Sequence, residues 1–268
     1  MRNNALQWIV LAGIGVVGGV LSGAFGIGGG IIMVPLLVWL ARLDQRRAAA
    51  TSLVAIVPTA VTGSISYLAA GEIDLLAGLF VAIGAVAGAL IGTRLLRRIP
   101  IVWLRWMFIA LVLVVAVRML VVAPERGDSV DLTVWVALGY VALGLAMGVA
   151  SGLFGIGGGV IAVPALVAVF GASDLVAKGT SLLVMIPTGV TGTVTNARAG
   201  LVDVRAGLVV GVAATLGSLP GVALALLMSA RLSGILFAVL LLAAAAQLTV
   251  AAIRAPRDSP AGAAGSEA

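Results

Sequence analysis

The chain has 268 residues, 62% of them hydrophobic and only 10% charged, with a mean hydropathy of +1.25; a soluble domain carries about a quarter charged residues, so the composition excludes one. The net charge of +6 is no nucleic-acid signature, because most of the basic residues lie in short loops between apolar runs. With no Cys and no His, thiolate chemistry, haem ligation and imidazole relays are excluded, zinc would have only carboxylates, and no cofactor or metal is expected.

In chain order, Met1-Arg2-Asn3-Asn4 leads into an apolar run over 8–24. It resembles a secretory signal, but a matching run recurs at 135–150, so 8–24 is expected in the mature protein. Helical segments follow at 31–41, 48–70, 75–97 and 101–122, then again at 133–150, 160–170, 177–199, 204–227 and 232–253. The polar stretch 123–132 reads as a linker, and the Pro/Gly/Ala/Ser-rich tail 255–268 as disordered. The last three segments of each half are long enough to span a bilayer. The first two are not: at 1.5 Å per residue, 8–24 covers about 25 Å and 31–41 about 17 Å of a core about 30 Å thick.

The chain is an internal repeat. Residues 22–35 read SGAFGIGGGIIMVP and 151–164 read SGLFGIGGGVIAVP, identical at eleven of fourteen positions with an offset of 129. The offset holds without a gap for Thr51-Ser52-Leu53 and Thr180-Ser181-Leu182, for Pro58-Thr59 and Pro187-Thr188, and for Gly88 and Gly217. Two transmembrane repeats, 1–122 and 133–254, are therefore expected. The short pieces either cross the membrane or form a re-entrant hairpin with FGIGGG at its tip. Either way each half makes an odd number of crossings, and the second half runs inverted. Alternating sides along the chain puts twelve of the sixteen basic residues on one face, which the positive-inside rule assigns to the cytoplasm together with both termini. The expected fold is an all-α polytopic membrane protein of two inverted repeats, each with about five helical segments, giving eight to ten spans.

The glycine phrase is not a phosphate loop, since no Lys-Ser/Thr follows it. Gly13-x-Gly15-x-x-Gly18 matches a dinucleotide pattern only on paper, inside a continuous apolar run with no strand before it. Gly15, Gly19 and Gly23, with Gly84, Gly88, Gly92, Gly144, Gly148 and Gly152, have small-xxx-small spacing. They predict close helix packing and offer faces for a homodimer. Gly26, Gly28, Gly29 and Gly30, and Gly155, Gly157, Gly158 and Gly159, differ: four glycines in five residues break a helix. Irregular backbone at membrane depth survives only inside protein or along a wet cavity. The helix restarting after each break aims free amides and a positive dipole end at it, an arrangement suited to an anion. The alternative is a tight hairpin against a neighbour. Thr51, Ser52, Thr59, Thr180, Ser181 and Thr188 either line the same site or tie helices together. Lys178, matched by Ala49 in the first half, either meets the anion or snorkels to the interface. Asp74 and Asp203 read as loop or cap residues, and Asn196 with Arg198 as an exit vestibule. No acid lies at the centre of a span and no nucleophile–base pair is visible, so an enzyme is not expected.

SGAFGIGGGIIMVPLLV and SGLFGIGGGVIAVPALV, each followed by Thr-Ser-Leu, resemble the TauE/SafE sulfite exporter family, also called the toluene sulfonate uptake permeases, over residues 8–253. The resemblance implies an integral transporter of sulfite or organosulfonate anions. It also implies that the glycines of both phrases, with Thr51, Ser52, Thr180 and Ser181, line the substrate site. The partners expected are a small anion and the lipid bilayer, in a bacterial inner membrane. A channel-like facilitator and a non-transport scaffold are the alternative readings.

Overall fold

A computed structural model describes residues 4–121 and 133–254; the expected linker and tail lie outside them. The described residues form ten helices: α1 (Asn4–Phe25), α2 (Gly30–Trp39), α3 (Gln45–Ala69), α4 (Leu75–Arg98), α5 (Ile101–Val121), α6 (Val134–Phe154), α7 (Gly159–Ala168), α8 (Asp174–Arg198), α9 (Val204–Leu227) and α10 (Ala230–Arg254). Short polar side chains start most of the long ones. The carboxylates of Asp44, Asp74 and Asp203 accept amide hydrogen bonds at the N-termini of α3, α4 and α9, as the hydroxyls of Thr133 and Ser173 do for α6 and α8. The cap expectation for Asp74 and Asp203 holds.

Six helices are long and apolar enough to cross a membrane: α1, α3, α4, α6, α8 and α9. This corrects the expectation for the first segment of each half, which is long enough to span; the second segment of each half is short, as expected. The helix in α1 begins at Asn4 and runs through Phe25, 22 residues and about 33 Å; α6 likewise continues through Ser151–Phe154. Backbone hydrogen bonding carries a helix beyond its apolar run, so hydropathy alone underestimates its length. At ten residues and about 15 Å each, α2 and α7 are too short to cross.

The halves pack by exchange. Helix α1 lies along α9 and α6 along α4; α3 packs on α9 and α8 on α4; α5 packs on α10. Under the 129-residue offset each contact maps onto its reciprocal, the signature of a two-fold interface. The α1–α9 and α4–α6 seams are glycine ladders. Gly15, Gly19 and Gly23 meet α9 at Val210, Ala214 and Ser218, while Gly84, Gly88 and Gly92 meet α6 at Val141, Leu145 and Val149. Each paired helix runs in the same direction as its partner, backbone against backbone. The small-residue faces that suggested a homodimer are thus occupied within the chain. The equivalent helices α3 and α8 cross antiparallel: Gly192 packs on Leu53, Gly189 on Val57, and Gly63 on Leu182.

Candidate functional site

The two glycine breaks meet where α3 and α8 cross. Gly26, Gly28 and Gly29 have φ of 68°, 74° and 70°, and Gly155, Gly157 and Gly158 have 69°, 76° and 87°. This left-handed backbone is open to glycine at no steric cost, which explains the composition of the phrase. The turns bring the chain back on itself, and α2 and α7 restart at Gly30 and Gly159. Gly28 and Gly157 both face Met185 and Ile56, mid-helix residues that are equivalent under the offset. A Cβ on Gly30 would run into Gly155 O and lie 2.6 Å from Ile156 Cα; one on Gly159 would run into Gly26 O and lie 2.8 Å from Ile27 Cα. All eight glycines are buried, so the breaks face each other.

The hydroxyls on α3 and α8 tie this junction together. Ser52 Oγ donates to Gly155 O at 2.6 Å, and Ser181 Oγ donates to Gly26 O at 2.5 Å. The backbone amide of Asp203 donates to Thr51 Oγ1 and that of Asp74 to Thr180 Oγ1. Thr59 and Thr188 instead bond carbonyls of their own helices, Ala55 O and Val184 O, beside Pro58 and Pro187. Lys178 neither snorkels nor stands free. Its Nζ lies 2.7 Å from Asp174 Oδ2 and 2.7 Å from Ser233 Oγ, and the residue is 1% exposed. Asn196 is buried and Arg198 exposed, so they do not share a vestibule.

The restarting helices leave donors over. No side chain caps α2 or α7. The first amides of α2 to find a carbonyl are those of Ile32 and Met33, both on Gly29 O; Ile161 and Ala162 repeat this on Gly158 O. Among the described residues, the amides of Gly28, Gly29, Gly30 and Ile31, and their equivalents, have no protein acceptor. One turn before each break, Ser22 Oγ and Ser151 Oγ are fully buried without a partner. These serines open both copies of the repeated phrase, yet sequence reasoning passed over them, as it did Ile56, Met185, Asp174 and Ser233.

Replacing Ser52 and Ser181 with Ala is expected to cost about 1 kcal/mol each. The control Thr215→Ala, whose hydroxyl bonds only Gly211 O of its own helix, is expected to shift stability by less than about 0.5 kcal/mol. Thermal unfolding in detergent measures both; equal effects would remove the hydroxyls' role as ties between the halves.

The sulfite exporter TauE/SafE family model matches residues 1–119 and 140–266. Among curated relatives, the Bacillus subtilis probable membrane transporter protein YunE is 25% identical over 222 residues, 74% of this chain and 81% of its own. YdhB of the same organism, also a probable membrane transporter protein, is 30% identical over 188 residues, 69% of this chain and 77% of its own. A probable membrane transporter protein of Xylella fastidiosa strain Temecula1 is 29% identical over 229 residues, 84% of this chain and 86% of its own. With its apolar spans and a family match that covers both halves, this multi-pass membrane transporter belongs to the sulfite exporter TauE/SafE family.

Proposed function

We propose that the protein exports a small sulfur-containing anion, sulfite or an organosulfonate, across a bacterial inner membrane, with both termini in the cytoplasm. The observation that carries this reading is the set of unsatisfied donors at the junction of the breaks: the leading amides of α2 and α7 with the hydroxyls of Ser22 and Ser151. A buried donor without an acceptor costs about 1–3 kcal/mol, and the oxygens of a sulfite or sulfonate supply the missing acceptors. The positive ends of both short helices add to the attraction. Gly26, Gly28, Gly29, Gly30, Thr51, Ser52 and Thr59, with Gly155, Gly157, Gly158, Gly159, Thr180, Ser181 and Thr188, form or brace this site, and Lys178 supplies its cation. The antiparallel crossing of α3 and α8 supports two halves inverted in the membrane, and rocking about that crossing opens the closed junction to each side in turn. An inside-negative potential favours exit of an anion by about 2.3 kcal/mol per charge per 100 mV.

Purified protein in liposomes tests this. Saturable sulfite or sulfonate flux with counterflow is the expected result. Net flux without counterflow would make the protein a facilitator, and no flux under an imposed potential would leave a scaffold.

A further inference from the structure

The repeat is broken at one pair of buried side chains. The equivalent of Tyr67 on α3 is Asn196 on α8, and both are fully buried. Tyr67 seals its end of the molecule. It packs on the first two turns of α8, where a Cβ on Gly179 would lie 2.8 Å from Tyr67 Cβ. Its hydroxyl donates across to Gly23 O on α1 at 2.8 Å. The two-fold that relates the halves puts Asn196 between the equivalent neighbours, Ala50 on the first two turns of α3 and Gly152 on α6. Asparagine is shorter than tyrosine by most of an aromatic ring, so it spans no such gap. Neither its Nδ2 nor its Oδ1 has a partner among the described residues.

The same place gathers further unused groups. Gln45 opens α3, is 3% exposed and has Nε2 unpartnered. Arg46 beside it donates from Nη2 to Ile99 O, while its Nε is buried and unpartnered. Ser151, next to Gly152, carries the orphaned hydroxyl one turn before the break at Gly155. At the opposite end Asp174, the equivalent of Gln45, is bonded to Lys178, and Tyr67 holds Gly23 O. Buried amides are nearly always hydrogen-bonded, so an unpaired one among three other free donors is a place made for a ligand.

We propose that Asn196, Gln45, Arg46 and Ser151 form a second binding site for a small sulfonate or sulfite, which rests on the anion-transport reading above. The anion occupies it before the glycine junction, arriving from the face that carries Arg42, Arg46, Arg47, Arg94, Arg97 and Arg98. Its oxygens accept from Asn196 Nδ2, Gln45 Nε2, Arg46 Nε and Ser151 Oγ, and the guanidinium of Arg46 supplies the charge. Asn196 Oδ1 accepts from a water that the anion carries with it. Asn196 stands about 16 Å along α8 from Met185 at the junction, so this site is a separate stop on the route. Ser151 belongs to both and hands the anion on to the break. On the opposite face Tyr67 fills the equivalent place as a plug. The conformation described therefore loads from the arginine-rich side.

The chain has no Cys, so Asn196→Cys in the full-length protein reports on this place alone. Its modification by 2-sulfonatoethyl methanethiosulfonate is compared with that by the trimethylammonium counterpart, each scaled to its rate with free 2-mercaptoethanol. The anionic reagent is expected to be favoured about tenfold or more, and 2-hydroxyethanesulfonate to slow it. Equal scaled rates without protection by the sulfonate would mean a pocket for water only and overturn the proposal. Asn196→Ala separates binding from structure. The amide it removes is unpaired, so the melting temperature is expected not to fall, while half-saturating 2-hydroxyethanesulfonate in liposome flux rises about tenfold or more. A lower melting temperature with unchanged half-saturation would make Asn196 structural. Asn196→Tyr copies the plug of the other half and is expected to elute as wild type with flux reduced about tenfold or more; wild-type flux would overturn the proposal. If that variant does not fold, the cysteine and alanine variants decide. Absence of flux from wild-type protein would remove the transport reading, while sulfonate protection of Asn196→Cys would still establish the binding site.

Discussion

A single methyl group added at Gly30 or at Gly159 is expected to destabilise the protein by about 3 kcal/mol. Neither glycine has the left-handed backbone of the turn beside it, and each opens a helix where alanine is otherwise preferred. The loss would therefore come from the seam alone. The new carbon at Gly30 meets Gly155 O and Ile156 Cα, and at Gly159 it meets Gly26 O, Ile27 Cα and Met185. Apart from Met185 these are backbone atoms, which cannot rotate aside, so the two breaks must separate. Once one methyl has parted them, the second has less to disrupt, and the double variant should lose less than the sum of the singles. Gly13→Ala is the control: that glycine is exposed, helical and has nothing within 4 Å of a Cβ, and the change should gain about 0.5–1 kcal/mol. Melting temperatures in detergent report all four variants. Wild-type stability of Gly30→Ala would mean that the breaks do not touch.

Leucine at Gly148 should be more damaging, at about 4 kcal/mol or more, a large share of the 5–15 kcal/mol that holds a typical domain together. Even a Cβ there meets Ala85 O, with Ala89 N at 2.8 Å, and Gly88 on the facing helix meets Leu145 O and Val149 N in the same way. Helices packed on bare backbone have no side chain to move aside when a larger residue arrives. Loss of the monodisperse peak in size-exclusion chromatography, with Gly19→Leu failing alike on the α1–α9 seam, is the expected readout. A normal elution profile for Gly148→Leu would show that α4 and α6 stand further apart than described.

Much of this was legible in the residues. The 129-residue offset places ten segments, and ten helices stand there. The glycine phrases announce their own break, because so many glycines in so few positions serve few other purposes. Helix ends were less visible: α1 gains Asn4–Gln7 and α6 gains Ser151–Phe154, which hydropathy does not reward but hydrogen bonding does. Where each break goes was hidden, since Ser52 reaches a carbonyl 103 positions away and Ser181 one 155 positions away. The Asp174–Lys178 pair went unread, although its four-residue spacing on one helix face was a signal for it; Ser233 on α10 left none.

The distance between Gly26 and Ser181 also has a meaning in time. A ribosome adds about 5–20 residues per second, so some 8–30 s pass between the making of the first break and the serine that ties it. Throughout that interval the early half sits with the carbonyl of Gly26 untied and the flank of α1 lacking α9. The nascent protein is then most open to proteolysis and to wrong partners, and chains stalled before α8 should be cleared fastest.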